Sequence, residues 1–189
     1  MTQVTNWIEQ LRERQRTGTS HRVTLRTPTQ NDRQEFLDLM RHSEQLHRPW
    51  IFPPLNDAAY DEYLRRITQD DHQGFLVCDR DNRIVGVINL NTIVRGAFLS
   101  ATLGYYVGAP FAGQGLMHEG LLLVAQHAFA ALRLHRIEAN IQPANERSKA
   151  LVRACGFRLE GLSPAFLYID GAWRDHERWT LIDPRASLY

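Results

Sequence analysis

Apolar residues recur with a period of two in some stretches of the chain and near 3.6 in others, which predicts both strands and helices. Strand-like stretches occupy residues 23–25 and then residues 74–79, 83–94 and 97–107, with only short turns between the last three. Strands this close in sequence pair as antiparallel hairpins. The pattern therefore predicts a first strand followed, after an interval, by a three-stranded antiparallel meander.

Further strands are predicted in the second half of the chain. Residues 135–142 alternate between apolar and polar side chains, as a half-buried strand does. Near the end, Asp170-Gly171 is the sequence signal of a type I′ hairpin turn between residues 165–169 and 172–182. Residues 157–159 open this last group of strands.

Helical spacing and end signals predict five helices. Thr29 is a candidate N-cap for the second, Pro49 ends it, Asn145 caps the fifth, and Gly156 follows its last residue. Four helices are predicted from apolar residues at helical spacing, and the fifth is predicted between its two end signals. In chain order the residues are Val4, Ile8 and Leu11; Phe36, Met40 and Ser43; Ala59, Tyr63, Leu64 and Ile67; Leu121, Val124, Ala125, Ala128 and Leu132; and residues 145–155.

The elements after the first helix read β-α-α-β-β-β-α-β-α-β-β, the order of an α/β domain built around one mixed sheet. A chain of 189 residues, of which 43% are hydrophobic, supplies enough apolar material for one such domain. We interpret residues 1–20 as an N-terminal helical extension and residues 21–189 as a single domain.

The stretch 107–131 joins a strand end, a glycine-rich turn and a long helix. Gly113 and Gly115 permit a tight turn and a close approach of a ligand to the backbone. Unpaired N–H groups at the start of a helix, together with its dipole, favour an anion. The plain alternative is a loop that only leads into a core helix. The stretch lacks the Gly-Lys-Ser/Thr of a P-loop and the third glycine of a dinucleotide-binding loop.

Charge and composition narrow the function classes. The formal net charge is +1, which is not typical of proteins that bind nucleic acid or anionic membranes directly. No apolar run reaches the ~18 residues of a membrane span, and no signal peptide is expected. Cys78 and Cys155 are isolated, which favours packed thiols in a reducing, cytoplasmic compartment. No cysteine or histidine cluster indicates a metal.

Several motifs resemble one known family. Gly113 and Gly115 match the pyrophosphate motif Gln/Arg-x-x-Gly-x-Gly/Ala of the GNAT superfamily of acyl-CoA N-acyltransferases, although Pro110 replaces the first residue of that motif. From about residue 23 to 182 the chain is similar to the RimJ/RimL-type ribosomal-protein-alanine N-acetyltransferases, and to the RimJ branch in particular. The motifs that carry this similarity are Gln114-Gly115-Leu116-Met117-x-Glu119, His135-Arg136-Ile137, Asn145-x-Arg147-Ser148, Cys155-Gly156-Phe157-x-x-Glu160-Gly161, Tyr168-Ile169-Asp170-Gly171-x-Trp173-Arg174-Asp175-His176, Val94-Arg95-Gly96-Ala97-Phe98 and Pro49-Trp50.

The resemblance implies a GNAT fold, with a mixed, mostly antiparallel sheet flanked by helices and two parallel strands that splay apart at the acyl-CoA site. It implies acetyl-CoA as cosubstrate, with loop amides on the pyrophosphate and the Val107 N–H, or that of a neighbour, on the thioester carbonyl. Asn145 matches a residue that holds the pantetheine arm, and a plain helix N-cap is its alternative role. The residues expected at the cosubstrate are Val107, Gly113, Gln114, Gly115, Leu116, Met117, Asn145 and Ser148.

Catalytic roles are also implied by the resemblance. Ser148 matches the position from which RimL-like enzymes protonate the departing thiolate, and its alternative is a serine that bonds only backbone. Many GNAT enzymes carry a tyrosine four residues further on, where Val152 stands here. Glu138 is the candidate base, with an arginine partner as its alternative role. Thr102 and Leu167 replace two other family glutamates, so water or an already neutral amine remains an alternative base.

The resemblance also places the acceptor-side candidates, which are Trp50, Phe52, Arg95, Tyr168 and Trp173. Trp173 and Trp179 have a plain alternative, which is to pack the final hairpin. Three functions follow as expectations: acetylation of a protein N-terminus such as that of a ribosomal protein, acetylation of a small amine (polyamine, amino sugar or aminoacyl conjugate), and coenzyme A binding without turnover. The chain is expected to act as a monomer or homodimer.

Overall fold

The computed structural model describes residues 21–183 and residue 185. The helix expected around Val4, Ile8 and Leu11 lies outside the described residues. The division of the chain into an extension and a single domain therefore stays a prediction.

Seven strands form one sheet. Their bounds are β1 (Thr24–Arg26), β2 (Gln73–Cys78), β3 (Ile84–Val94), β4 (Ser100–Val107), β5 (Arg136–Ile141), β6 (Arg158–Ile169) and β7 (Ala172–Ile182). They lie in the order β1-β2-β3-β4-β5-β7-β6. All neighbours are antiparallel except β4 and β5, which are parallel. The sheet is thus mixed and mostly antiparallel, as predicted.

Helices cover both faces of this sheet. Their bounds are α1 (Arg33–His42), α2 (Glu44–His47), α3 (Asp57–Ile67), α4 (Leu116–Ala130) and α5 (Glu146–Ala154). Single 3-10 turns stand at Gln30–Asp32, before α1, and at Ala109–Phe111, in the glycine-rich loop. The Thr29 N–H and hydroxyl both donate to the Asp32 carboxylate, at 2.7 and 2.9 Å, and close the first of these turns.

Two apolar clusters hold the layers together. On one face α4 and α5 pack on the middle strands, and on the other face α1 and α3 do so. Most residues predicted to face the core are buried, namely Phe36, Met40, Tyr63, Leu121, Val124, Ala125, Ala128, Ile137, Ala139 and Ile141, whereas Ala59, Leu64 and Leu132 are only partly buried. Full burial of a large apolar side chain contributes about 1.5–3 kcal/mol, so this periodicity explains where the helices dock.

Strands β4 and β5 are paired only over their first halves. The last pair joins Leu103 to Ala139. Beyond it, β4 continues to Val107 beside β3, and β5 continues to Ile141 beside β7. A gap therefore opens between the carboxyl ends of the two parallel strands, as the resemblance implied.

A few predicted boundaries were wrong. Strand β4 begins at Ser100 rather than at Ala97, because Leu99 has a φ of +41° that a strand does not accommodate. Strand β6 is one long strand with irregular pairing near Gly161 rather than two short ones. The helix predicted to continue as far as Pro49 is interrupted at Ser43, so that Glu44–His47 forms the separate short helix α2.

Candidate active site

The end of β4 presents the backbone of Val107 to the gap. The N–H of the next residue, Gly108, donates to the Val85 carbonyl of β3 at 2.8 Å. Successive residues of a strand direct their backbone groups to opposite edges, so the N–H and C=O of Val107 point away from β3. The pairing with β5 has already ended at Leu103. The Val107 N–H therefore faces the gap, where the resemblance places the donor to the thioester carbonyl.

His47, at the end of α2, covers the carbonyl of Val107. Its Nε2–H donates to that oxygen at 2.8 Å, and its ring lies edge-on to Tyr106 with 5.6 Å between centroids. Burial lowers the pKa of the imidazole, which favours the neutral form. Since a carbonyl only accepts, the proton is on Nε2. Sequence reasoning missed His47, because a lone histidine in a four-residue helix carries no periodic signal.

The glycine-rich loop has the geometry of an anion site. Gly113 and Gly115 have φ values of +77° and +76°, which L side chains rarely adopt. A Cβ at Gly113 would meet nothing within 4 Å, so the backbone there is open. Helix α4 begins at Leu116, and the N–H groups of its first turn lack partners within the helix. Open backbone thus lies at the positive end of a helix.

The three other loop candidates contribute differently. Leu116 and Met117 bury their side chains in the core, so they present only backbone N–H groups to a ligand. Gln114 is exposed, and its Nε2–H donates to the Pro110 carbonyl at 2.8 Å. The Gln114 side chain therefore bonds back to residue 110, which is the position where the family motif has Gln or Arg.

Helix α5 begins across the gap from this loop. The Oδ1 of Asn145 accepts the Ser148 N–H at 3.1 Å, so Asn145 is the N-cap of the helix. The Oγ of Ser148 lies 2.5 Å from the Tyr105 hydroxyl, which comes from β4. Ser148 therefore does more than bond backbone. Val152, at the position where many GNAT enzymes carry a tyrosine, is fully buried in the core, and the hydroxyl beside Ser148 is that of Tyr105 on β4.

Sequence reasoning also missed Tyr105. Burial raises the pKa of its phenol, so the hydroxyl remains protonated across the physiological range. The signal was present in the strand period, because Tyr105 shares its face of β4 with Leu103 and Val107. The strand period does not reveal that the partner of Tyr105 is Ser148 on α5.

Glu138 has an arginine partner, which was its alternative role. The Arg136 Nε–H donates to Glu138 Oε1 at 2.6 Å. The same guanidinium bonds both oxygens of Glu160 and the hydroxyl of Thr180. These bonds, the one to Glu160 most strongly, raise the pKa of Arg136. One oxygen of the Glu138 carboxylate is thus already engaged by a guanidinium.

Two amides follow Glu138 on the same face of β5. Asn140 lies beyond the last β4–β5 pair, and Gln142 lies just after the end of the strand. Asn140 Oδ1 and Gln142 Nε2 are buried and have no hydrogen-bond partner among the described residues. An unpaired buried polar atom costs about 1–3 kcal/mol. These atoms therefore mark a place where a ligand can supply the missing partners.

Trp50 and Phe52 lie in the loop after α2. The Trp50 N–H donates to the His47 carbonyl at 2.9 Å, which keeps this loop beside the end of β4. The Arg48 guanidinium lies 4.7 Å over the ring of Phe52. This loop is thus brought to the same end of the sheet as Val107.

Tyr168 and Trp173 face each other across the final hairpin, edge to face, with 5.6 Å between ring centroids. Strand β7 runs antiparallel to β5 and pairs Glu177 with Ile141. Trp173 therefore extends past the carboxyl end of β5, toward the open end of the gap. It is 63% exposed, whereas Trp179 is 4% exposed, so only Trp179 packs into the core.

Arg95 is not brought together with the other candidates. It precedes β4 and donates from Nη1 to the Leu132 carbonyl at 2.5 Å, beyond the end of α4. At about 3.3 Å per residue, β4 separates its own first residue from Val107 by ~23 Å. The structure thus places Arg95 at the opposite end of the sheet, and we leave it out of the proposed site.

Residues 21–183 also bear on metal binding, membrane spanning and thiol chemistry. Within that range, no group of three or more His, Cys, Asp or Glu side chains is arranged to hold a metal ion. None of its helices has the length and apolar character needed to cross a membrane. Cys78 and Cys155 are buried free thiols, and burial raises the pKa of Cys155 to about 12, so they are unreactive.

Comparison with known families agrees with this geometry. Residues 22–158 match the acetyltransferase (GNAT) domain model. The chain therefore belongs to the GNAT family, and it is an acetyl-CoA-dependent N-acetyltransferase. The open loop backbone, the positive end of α4 and the gap between β4 and β5 fit acetyl-CoA as cosubstrate.

Individual relatives are similar over most of the chain. The [ribosomal protein uS5]-alanine N-acetyltransferase of Escherichia coli is 33% identical over 177 residues, which are 88% of this chain and 90% of the relative. The structure of Mycobacterium smegmatis RimJ in complex with CoA-disulfide has a TM-score of 0.77 and 28% identity, covering 85% of this chain and 81% of that one. The spermidine N(1)-acetyltransferase of Vibrio cholerae is 23% identical, covering 86% of this chain and 94% of the relative.

Proposed function

We propose that this enzyme acetylates the N-terminal α-amino group of a protein, with a ribosomal protein as the expected acceptor and the cytoplasm as its location. The similarity to the uS5-alanine enzyme supports this proposal. The observation that carries it is the face of β5 along the gap. There Glu138 is held by Arg136, and the neighbouring positions are the neutral amides Asn140 and Gln142.

A strand face whose carboxylate is already paired with an arginine favours an amine that needs no base. A protein α-amino group has a pKa of about 7.7–8.0, so roughly 20–33% of it is neutral at pH 7.4. A lysine-like alkylamine has a pKa of about 10.4, so only about one molecule in a thousand is neutral. Water can take up the remaining proton of an α-amine as it attacks. The same site would leave a polyamine almost fully protonated.

The amides of β5 also suit a peptide. A peptide bond offers both an N–H donor and a C=O acceptor, which are the partners that Asn140 Oδ1 and Gln142 Nε2 lack. A polyamine at this pH offers only donors, and it would require clustered carboxylates to hold its charges. The aromatic residues Trp50, Phe52, Tyr168 and Trp173 would flank the entering chain.

Acetyl-CoA supplies an activated acetyl thioester, and the residues of this chain would do three things with it. The glycine-rich loop, from Gly113 to Met117, would bind its pyrophosphate through backbone N–H groups. The Val107 N–H would donate to the thioester carbonyl and stabilise the negative charge that develops there. Ser148, backed by Tyr105, would direct a proton toward the departing sulfur.

The test is competition between a peptide with an N-terminal Ala or Ser and spermidine at equal concentration. Thiol release would give the rates, and mass spectrometry would identify the products. We expect a kcat/KM at least tenfold higher for the peptide. The same peptide with a blocked N-terminus and an internal lysine is the control and should not react. A higher kcat/KM for spermidine, or no peptide turnover, would reject the protein acceptor and leave the acetyltransferase activity standing.

A further inference from the structure

Arg22 lies just before β1, directly against the glycine-rich loop. Its backbone N–H donates to Glu119 Oε2 at 3.0 Å, and its Nε–H donates to Glu119 Oε1. Its Nη1–H donates to the Gln114 carbonyl at 3.1 Å. A Cβ at Gly115 would lie 3.2 Å from Nη2 of the same guanidinium. One arginine from the start of the domain thus contacts both the first turns of α4 and the loop before it.

Glu119 fixes this arginine from the core side. The carboxylate is 1% exposed, whereas the Arg22 side chain is 46% exposed. A buried carboxylate is costly unless it is paired, so Glu119 holds its partner in place. With Nε committed to Glu119, the two terminal nitrogens of the guanidinium are directed at the loop.

The bond to the Gln114 carbonyl sets the direction of the next N–H. The peptide between Gln114 and Gly115 is planar and trans, so its C=O and its N–H point to opposite sides. Because Arg22 holds the C=O on its own side, the Gly115 N–H is directed to the other side of the loop. The carbonyl oxygen, which would repel an anion, is turned away from that side.

We propose that Arg22 is a positioning residue for the pyrophosphate of acetyl-CoA. Held by Glu119, it orients the Gln114–Gly115 peptide so that the Gly115 N–H faces the anion, without touching the anion itself. This role rests on the proposed function of the loop as the pyrophosphate site. Pro110, which has no side-chain donor, stands where the family motif carries Gln or Arg. An arginine from another segment thus organises the loop from outside it.

The experiment compares Arg22→Met with wild type on three ligands. Calorimetry would give the Kd of CoA and of dephospho-CoA, which both contain the pyrophosphate. Steady-state kinetics would give the KM of acetyl-pantetheine, which lacks it. We expect the variant to bind CoA and dephospho-CoA at least tenfold more weakly, by the same factor for both. The KM of acetyl-pantetheine should change by less than twofold.

Two further variants separate positioning from folding. Arg22→Met removes one partner of the buried Glu119 carboxylate, so the double variant Arg22→Met/Glu119→Gln removes the carboxylate charge as well. We expect the double variant to regain thermal stability without ligand but not affinity for CoA. Arg65→Met on α3 is the matched control, because Arg65 is exposed and pairs only with Glu62 in the described structure. It should bind CoA as wild type does.

The outcomes distinguish this inference from the function on which it rests. Wild-type affinity for CoA in the folded double variant would overturn the role of Arg22 alone. A loss of affinity for CoA but not for dephospho-CoA would also overturn it, since that pattern indicates that Arg22 contacts the 3′-phosphate of CoA. An equal loss on all three ligands would indicate a general structural defect and overturn it as well. A wild-type enzyme that binds no CoA would overturn both proposals.

Discussion

At the scale of single residues, two hydroxyls rather than one stand at the position that we propose for protonation of the departing thiolate. The Tyr105 Oη lies 2.5 Å from Ser148 Oγ and 3.4 Å from the Ser148 carbonyl oxygen. Burial raises the pKa of Tyr105, so it keeps its proton. When Tyr105 donates to Ser148 Oγ, the serine hydroxyl keeps its own proton for another acceptor. The pair can therefore act as one acid.

The prediction is that Ser148→Ala and Tyr105→Phe both lower kcat and leave the Kd of CoA nearly unchanged. Removal of a general acid costs about 10²–10⁴-fold in rate. Because the two hydroxyls act as a unit, the double variant should be little slower than the slower single variant. Steady-state kinetics with saturating acetyl-CoA and calorimetry with CoA measure the two quantities.

Tyr106→Phe is the matched control for that experiment. It removes the same atom from the next residue of β4, whose side chain lies on the opposite face with α1 and α3. Its kcat should stay within a few-fold of wild type. A loss below threefold in Ser148→Ala would return Ser148 to a structural role, with water as the acid. Fully additive losses would show that the hydroxyls act separately.

The residues found by sequence reasoning and those it missed differ in how their contacts arise. Asn145 and Ser148 belong to one local motif, so the helix they begin could be predicted from neighbouring residues. The contacts of Tyr105, His47 and Arg22 span 43, 60 and 97 positions of sequence. No local pattern encodes such pairs, because they depend on how the helices dock on the sheet. The loop candidates were therefore predicted more completely than the residues that position them.

At the scale of elements, the glycine-rich loop connects β4 to α4 through two residues with positive φ. Its position was predictable, because the strand period, the two glycines and the helical period meet there. Its geometry was predictable only in part. The sequence shows that Pro110 precedes the turn. It does not show that Gln114 bonds back to Pro110 or that Arg22 donates to the Gln114 carbonyl.

Gly113→Val should abolish tight binding of CoA and leave the fold intact. A side chain there would enter the space that the pyrophosphate needs, and it would strain a backbone with φ of +77°. Such strain costs about 1–3 kcal/mol, which a folded domain tolerates. Calorimetry with CoA should show at least a tenfold weaker Kd, while circular dichroism should match wild type.

Gly171→Val is the control for backbone strain. Gly171 has a φ of +74°, and a Cβ there also meets nothing within 4 Å, but it lies in the final hairpin turn. Both valines should lower the melting temperature by similar amounts, and only the one in the loop should weaken CoA binding. Normal CoA binding by Gly113→Val would show that the loop is only a turn into a core helix.

At the scale of the whole molecule, the sheet consists of two antiparallel parts joined by a short parallel pairing. Strands β1 to β4 form one part, and β5, β7 and β6 form the other. Only the stretch from Ser100 to Leu103 of β4 pairs with β5. The mixed sheet could be predicted from the order of elements, whereas the splaying of the two parallel strands was implied only by the family resemblance, because the residue at which their pairing ends depends on register. The cosubstrate is expected to lie in the gap and contact both parts.

A ligand that bridges the two parts of the sheet should stabilise the whole domain. At a concentration of about 100 times its Kd, a ligand that binds only the folded state adds about 2.7 kcal/mol to the free energy of unfolding. For a chain of this size, 1 kcal/mol corresponds to roughly 2–4 °C. Acetyl-CoA should therefore raise the melting temperature by about 5–11 °C. Because the proposed contacts are backbone N–H groups, the rise should persist in EDTA.

Differential scanning fluorimetry with acetyl-CoA, ATP and NAD, each with and without EDTA, tests this expectation. ATP and NAD share phosphates with acetyl-CoA but lack the pantetheine arm that would lie between Val107 and Ser148. They should therefore give a much smaller shift. A shift that vanishes in EDTA would contradict binding by backbone groups alone. Equal shifts from all three ligands would show that the gap between β4 and β5 contributes nothing to recognition of the cosubstrate.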